Sequence, residues 1–309
     1  MRHSAVDGRA IMALVRVKLI AVTLLTLWIA ASSVLALEPG LPSKTAVFAA
    51  AARAVGSKDP DPKERNPDDL AIKFLGQRER AILPEFPLDA LDLGYAEAMA
   101  KLGSLLPVPT HTFRTKAFDS ALLDALRHRV GQVVVLGAGF DSRAYRFQSR
   151  LHRIRFIEVD SGPTQEYKKR RVKDILGSIP PNVTYVPVDF TKDDLLTELV
   201  KGGYSEQQKT FFLWEGVTVY LPEAAVKDTL HFVRDHAAPG SLLAFDYFFR
   251  KDPNVNNPDL LFAKWGEPWL FGFPDAGAAD YVKHEGLEVV TDQQTTQMAL
   301  CIARVPAHR

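Results

Sequence analysis

The chain has 309 residues, 47% hydrophobic and 24% charged, the values of an ordinary globular protein of one large domain or two small ones. Its 38 Lys and Arg nearly cancel its 37 Asp and Glu, which excludes an overall pull toward nucleic acid or an anionic membrane and makes any electrostatic site local. One cysteine, Cys301, excludes an intramolecular disulfide; without a CxxC spacing or an HExxH pattern, no metal site is expected.

Residues 19–36 (LIAVTLLTLWIAASSVLA) run 18 positions without a charge behind Arg2, Arg9, Arg16 and Lys18. That length meets the lower limit for a membrane span. Val34 and Ala36 also suit the small-residue positions before a signal-peptide cleavage point. Residues 1–37 are therefore expected to be a hydrophobic leader, either signal peptide or membrane anchor, with the rest of the chain exported because the positive charges precede it. A misplaced start, or a helix packed on the domain, is the other reading.

The Pro-rich joint Glu38–Pro42 opens the remaining domain, 38–309. Ser43 suits the N-cap of a helix to about Val55. Residues 59–67 carry three prolines and read as a loop. Helical patterns follow at about 68–80, 88–104 and 114–129. Short apolar runs then alternate with helices: strands at 132–138, 155–160, 183–189, 210–215 and 241–246, helices at about 163–177, 191–201 and 222–236. Strands apolar on both faces belong to buried parallel sheets, and this alternation implies a doubly wound α/β sheet. The last two strands, 287–291 and 298–304, are joined by a loop too short for a crossover and must be antiparallel. A mostly parallel seven-stranded sheet closed by a C-terminal antiparallel hairpin is the Rossmann-like methyltransferase arrangement; dehydrogenase domains keep their strands parallel. Residues 38–129 would form a helical cap over the carboxyl edge of the strands of the 130–309 core, where ligands bind.

Four motifs fall at that edge. Gly137-Ala138-Gly139 follows the first strand, where glycines let the backbone approach a ligand; Ser142 stands where a dinucleotide fingerprint has its third glycine. Asp160 ends the second strand, 23 residues after Gly137, and can accept both hydroxyls of a ribose or cap the next helix. Asp189-Phe190 ends the third strand: the carboxylate suits an adenine amino group and the ring can stack on the base, with helix capping the alternative. Glu215 ends the fourth strand, a costly place for a lone carboxylate. Its partner is either the ammonium of a bound amino-acid moiety or a structural cation such as Arg114. The run Lys168-Lys169-Arg170-Arg171 reads as a solvated helix face.

GAGFDSRAYRF (137–147), EVD (158–160), VDF (188–190) and WEGVTVYL (214–221) together resemble the leucine carboxyl methyltransferase family, in particular its bacterial branch of S-adenosyl-L-methionine-dependent, polyketide-type methyltransferases. Upstream, Ser43-Lys44-Thr45-Ala46 with Arg53-Ala54, and Arg114-Thr115-Lys116 before Phe118-Asp119, match as well. The resemblance covers about 43–304 except 251–276. It implies S-adenosyl-L-methionine as methyl donor, no metal, and an acceptor oxygen on a small molecule or peptide carboxylate. It implies Arg114, helped by Lys44, on the cofactor carboxylate; Gly137, Ala138 and Gly139 beneath the methionine part; Asp160 on the ribose; Asp189 and Phe190 on the adenine; and Glu215 near the methionine end. His111, Tyr220, Asp246 and Tyr247 are conceivable bases, none singled out. No nucleic-acid partner and no oligomeric state is implied. Membrane association would come through the leader, which sits uneasily with a cytosolic cofactor. A nicotinamide-dependent oxidoreductase and a non-catalytic exported relic of the fold are the alternatives.

Overall fold

The computed structural model describes residues 41–250, 259–295 and 298–307. The segment 1–37, expected to be a leader, therefore lies outside the described residues; among those described, no helix is long and apolar enough to cross a membrane.

Helix α1 (Lys44–Gly56) starts where Ser43 predicts, with the Ser43 hydroxyl accepting from the Ala46 amide at 3.2 Å. The helix expected over 68–80 is instead two single turns, Ala71–Phe74 and Gln77–Arg80, parted where Leu75 and Gly76 leave helical backbone angles. The pattern at 88–104 breaks likewise at Leu93-Gly94, leaving a turn at Leu88–Asp92 and helix α2 (Tyr95–Leu102). Glycine lowers helix preference enough for tertiary packing to decide at such points. Helix α3 (Val108–Arg127) begins six residues earlier than expected, because Pro109 lies in its first turn, where the missing N–H is not needed.

The core strands are β1 (Gln132–Leu136), β2 (Arg155–Asp160), β3 (Val183–Pro187), β4 (Thr210–Trp214) and β5 (Leu242–Tyr247). Helices α4 (Gly162–Leu176), α5 (Leu195–Lys201) and α6 (Glu223–His236) connect β2 to β3, β3 to β4 and β4 to β5. Helices α7 (Asp259–Lys264) and α8 (Ala279–His284) precede the hairpin of β6 (Glu288–Gln294) and β7 (Ala299–Arg304). The sheet order is β3-β2-β1-β4-β5-β7-β6. Strands β1 to β5 pair in parallel, with Val134 between Ile157 and Phe212. Strand β7 runs antiparallel to both β5 and β6, as the short connection requires. The seven-stranded Rossmann-like methyltransferase arrangement expected above is thus the one observed.

Both faces of the sheet are buried. Val133, Val135, Phe156, Phe211 and Leu213 share one apolar cluster, while Val134, Ile157, Phe212, Trp214 and Phe245 point into the other. The N-terminal helices do more than cap the strand ends. Phe118, Leu122 and Ala125 of α3 belong to the first cluster, so this helix forms part of the core layer. Strand order reverses between β1 and β4, which opens a crevice at the carboxyl ends of β1, β2, β4 and β5.

Candidate functional site

The turn after β1 carries the first half of the site. Gly137 sits at φ +70°, and a Cβ there would run into the side chain of Val217, so only glycine fits. Ala138, buried, donates its N–H to the Val159 carbonyl at 2.8 Å, and Gly139 donates its own to Asp160 Oδ2 at 2.5 Å. The other Asp160 oxygen accepts from the Ser161 amide at 2.7 Å. Asp160 therefore holds the glycine turn instead of capping α4 through its second or third amide. Burial raises its carboxyl above the usual range against those donors. A carboxylate has about four lone-pair positions, which leaves acceptor capacity beyond the backbone bonds.

The second half is built on Glu215, just past β4. Arg114 Nε, from α3, donates to Glu215 Oε1 at 2.8 Å, and Arg143 Nη1 donates to Oε2 at 2.7 Å. Burial raises the carboxyl, but Arg143 and Arg114 overcome it and hold it at about 2. Arg114 also donates to Asp246 Oδ2 at 3.0 Å, at the end of β5, and the other Asp246 oxygen accepts from the Gly216 amide at 2.5 Å. Arg143 reaches Asp119 Oδ1 at 2.7 Å and pairs with Asp141 of the glycine turn. Arg146 extends the chain of charges to Asp119 at 2.8 Å and Asp68 at 3.5 Å, and Arg53 closes it on Asp68 at 2.8 Å. Four guanidiniums thus face five carboxylates in a buried ladder. Asp246 shows the surplus: burial raises its carboxyl and Arg114 does not fully restore it.

The ladder joins Arg114, Glu215 and, through Arg143 and Asp141, the turn at Gly137–Gly139 with Asp160. Glu215 has structural cations, the alternative weighed for it above. Asp189 stands apart: it accepts from the Thr191 amide at 3.0 Å, the Thr191 hydroxyl at 2.6 Å and Lys192 Nζ at 2.6 Å, closing its own turn. Burial raises its carboxyl, but the bonds from Lys192 and Thr191 outweigh it and the net shift is downward. Phe190, half-buried, packs against the second apolar cluster. The Lys44 amide donates to Glu267 Oε1 at 2.8 Å, and Glu267 also accepts from the hydroxyls of Ser43 at 2.7 Å and Thr45. This closes the start of α1 with a residue from the segment that carried no resemblance.

Of the conceivable bases, His111, Asp246 and Tyr247 are engaged in hydrogen bonds. Arg114 can only donate, so its 3.0 Å contact with His111 Nδ1 makes that nitrogen the acceptor and puts the ring proton on Nε2. Burial, with Arg114 and Arg53 nearby, pushes the His111 pKa well down. Burial raises the Tyr220 hydroxyl. Tyr247 donates to Asp292 at 2.7 Å. Among the described residues, no group of three or more His, Cys, Asp or Glu could hold a metal ion.

Arg143, Asp119 and Arg146 were not read as site residues from sequence, and Asp246 entered only as a conceivable base, not as a partner of Arg114. A signal existed on α3: His111, Arg114, Thr115, Phe118, Asp119 and Leu122 fall at i, i+3, i+4, i+7, i+8 and i+11 and form one buried face carrying charges.

Two outcomes are expected. Arg114→Ala leaves Glu215 and Asp246 short of a cation and should cost about 3–5 kcal/mol in urea unfolding; a loss under about 1 kcal/mol would remove Arg114 from the ladder's structural role. The folded-state pKa of Glu215 lies below its ordinary 4.5, so its contribution is full above that pH and is lost as pH falls from 4.5 toward 2. Thermal melts across that window should show a steep loss for the wild type and a shallower one for Glu215→Gln; equal slopes would contradict the pairing.

Residues 46–234 match the model of the family described as leucine carboxyl methyltransferase. A Bacillus subtilis protein, provisionally named an S-adenosyl-L-methionine-dependent methyltransferase, is 33% identical over 45% of this chain and 45% of its own length. A Mycobacterium marinum protein with the same provisional name is 31% identical over 68% of this chain and 64% of its own. One from Mycolicibacterium paratuberculosis is 28% identical over 81% of this chain and 79% of its own. The chain thus spans 45% and 64% of the first two relatives. With the family model covering the cap helices, the glycine turn, Asp160 and Glu215, the chain belongs to the leucine carboxyl methyltransferase family.

Proposed function

We propose that this chain is an S-adenosyl-L-methionine-dependent methyltransferase that methylates an oxygen, either a hydroxyl or carboxyl, of a small molecule or a peptide terminus. The observation that carries the reading is electrostatic. The buried ladder holds one carboxylate more than it holds guanidiniums, and Asp160 adds another at the glycine turn. Such a cleft favours a ligand bearing positive charge. It suits a sulfonium cofactor with an amino-acid ammonium and disfavours a pyrophosphate. The Gly139 amide, which a dinucleotide phosphate would use, is already taken by Asp160.

When bound, the cofactor supplies an electrophilic methyl group on positively charged sulfur. The chain's residues bind and orient it. The backbone of Gly137, Ala138 and Gly139 permits close approach, and Asp160, which already accepts from the Gly139 amide and from the amide and hydroxyl of Ser161, would accept from a ribose hydroxyl with its remaining lone pair. Glu215 faces the ammonium. Arg114, which uses three of its five N–H groups in the ladder, has two left for the carboxylate. Asp189 and Phe190 would border the adenine once the Asp189 turn yields one of its bonds. Methyl transfer needs nucleophile, carbon and sulfur in line, so positioning supplies most of the rate. Oxygen as the acceptor rests on the family's description.

Calorimetric titration of the chain with S-adenosyl-L-methionine and, separately, NAD tests this. The expected result is micromolar affinity for the first and none for the second. Binding of NAD alone would favour an oxidoreductase; a folded chain that binds neither would be a relic of the fold.

A further inference from the structure

Lys168 lies in the basic run of α4, yet it is only 1% exposed. Its Nζ stands 2.7 Å from Glu158 Oε2 on β2, and Glu158 is fully buried. The other Glu158 oxygen accepts from the Tyr145 hydroxyl at 3.1 Å, and Tyr145 shares a 2.7 Å hydrogen bond with Tyr185. One helical turn before Lys168, Gln165 Nε2 donates to the Glu158 carbonyl at 2.8 Å and the Val186 carbonyl at 3.0 Å, tying α4 to β2 and β3. Lys168 Nζ also lies 3.5 Å from the Ala138 carbonyl, at the centre of the glycine turn, a carbonyl that already accepts from the Asp141 amide at 2.7 Å. The Ala138 amide donates to the carbonyl of Val159, the neighbour of Glu158, at 2.8 Å.

A buried ion pair of this kind is a poor source of stability. Desolvation of both charges offsets most of their attraction, and an apolar pair of similar volume often does as well or better. Burial pushes the Glu158 carboxyl up to about 7 even beside the lysine, so the strand carries it under protest. What an apolar pair cannot do is present a cation to a backbone carbonyl. We propose that Lys168 is a positioning residue: anchored by Glu158, its cation sits against the Ala138 carbonyl that the Asp141 amide also holds, and so helps to fix the Gly137–Gly139 backbone that the cofactor lies against. The inference rests on the cofactor reading above. It makes no contact between Lys168 and the ligand; the lysine acts through the turn.

The test pairs cofactor affinity with stability in full-length variants. Lys168→Met should fold, because Glu158 can take up a proton once its counter-ion is gone, and Glu158→Gln/Lys168→Met removes both charges together. Titration with S-adenosyl-L-methionine should show both variants binding about three- to tenfold more weakly than wild type, less than the loss of a full charge-assisted hydrogen bond because the lysine stands 3.5 Å from the carbonyl. The double variant should melt within a few degrees of wild type. A double variant that recovers both stability and affinity to within about twofold of wild type would overturn the positioning role, because a purely structural pair is dispensable once both charges are gone. A wild type that fails to bind would overturn the cofactor reading and this inference with it; a binding wild type with an equally binding double variant overturns this inference alone.

Discussion

Glu215 holds a carboxylate between two guanidiniums at the end of the central strand, and the architecture of the cleft follows from keeping it there. A buried carboxylate without a cation is too costly to tolerate. The cations arrive from opposite directions, Arg114 from α3 and Arg143 from the turn after β1. Each brings further obligations: Arg114 engages Asp246 at the end of β5, and Arg143 engages Asp119 and Asp141. One ion network therefore locks the last cap helix, the glycine turn and two strand ends together. It also explains why α3 lies in the core layer with a buried polar face.

The same network sets the chemical bias of the cleft. Its surplus of negative charge and the occupation of the Gly139 amide by Asp160 point away from phosphate-bearing ligands. They point toward a ligand that brings positive charge of its own. The backbone of the turn is held by Val159 on the Ala138 amide, Asp160 on the Gly139 amide and the Asp141 amide on the Ala138 carbonyl, with Lys168 beside that carbonyl. Such preorganisation lowers the cost of ordering a binding loop.

Most of the sheet was legible because buried parallel strands are short apolar runs with sharp ends, and β2 begins and ends where its sequence predicts. The hairpin was legible because six polar residues cannot make a crossover. The helix breaks at Gly76 and Gly94 were not, since a helical pattern can continue through a glycine that packing then decides against. For the candidate site, the strand-end rule pointed to Gly137, Asp160 and Glu215, and to Asp246 only as a conceivable base. It could not find the salt bridges, because Asp119, Arg143 and Asp246 meet only through the tertiary fold. Lys168 was hidden in a run of like charges. On α4 it shares the inner face with Thr164, Gln165 and Val172, a face too polar to register as an apolar stripe. Asp189 closes a turn on Thr191 and Lys192, the capping alternative its sequence had left open.

The most direct test is a crystal structure of the chain grown with S-adenosylhomocysteine, the demethylated cofactor. The account requires the ligand at the carboxyl ends of β1, β2 and β4, with its ribose hydroxyls on Asp160 and its amino-acid end between Glu215 and the remaining N–H groups of Arg114. A ligand bound elsewhere on the chain, or one in this cleft with its ribose away from Asp160, would contradict it.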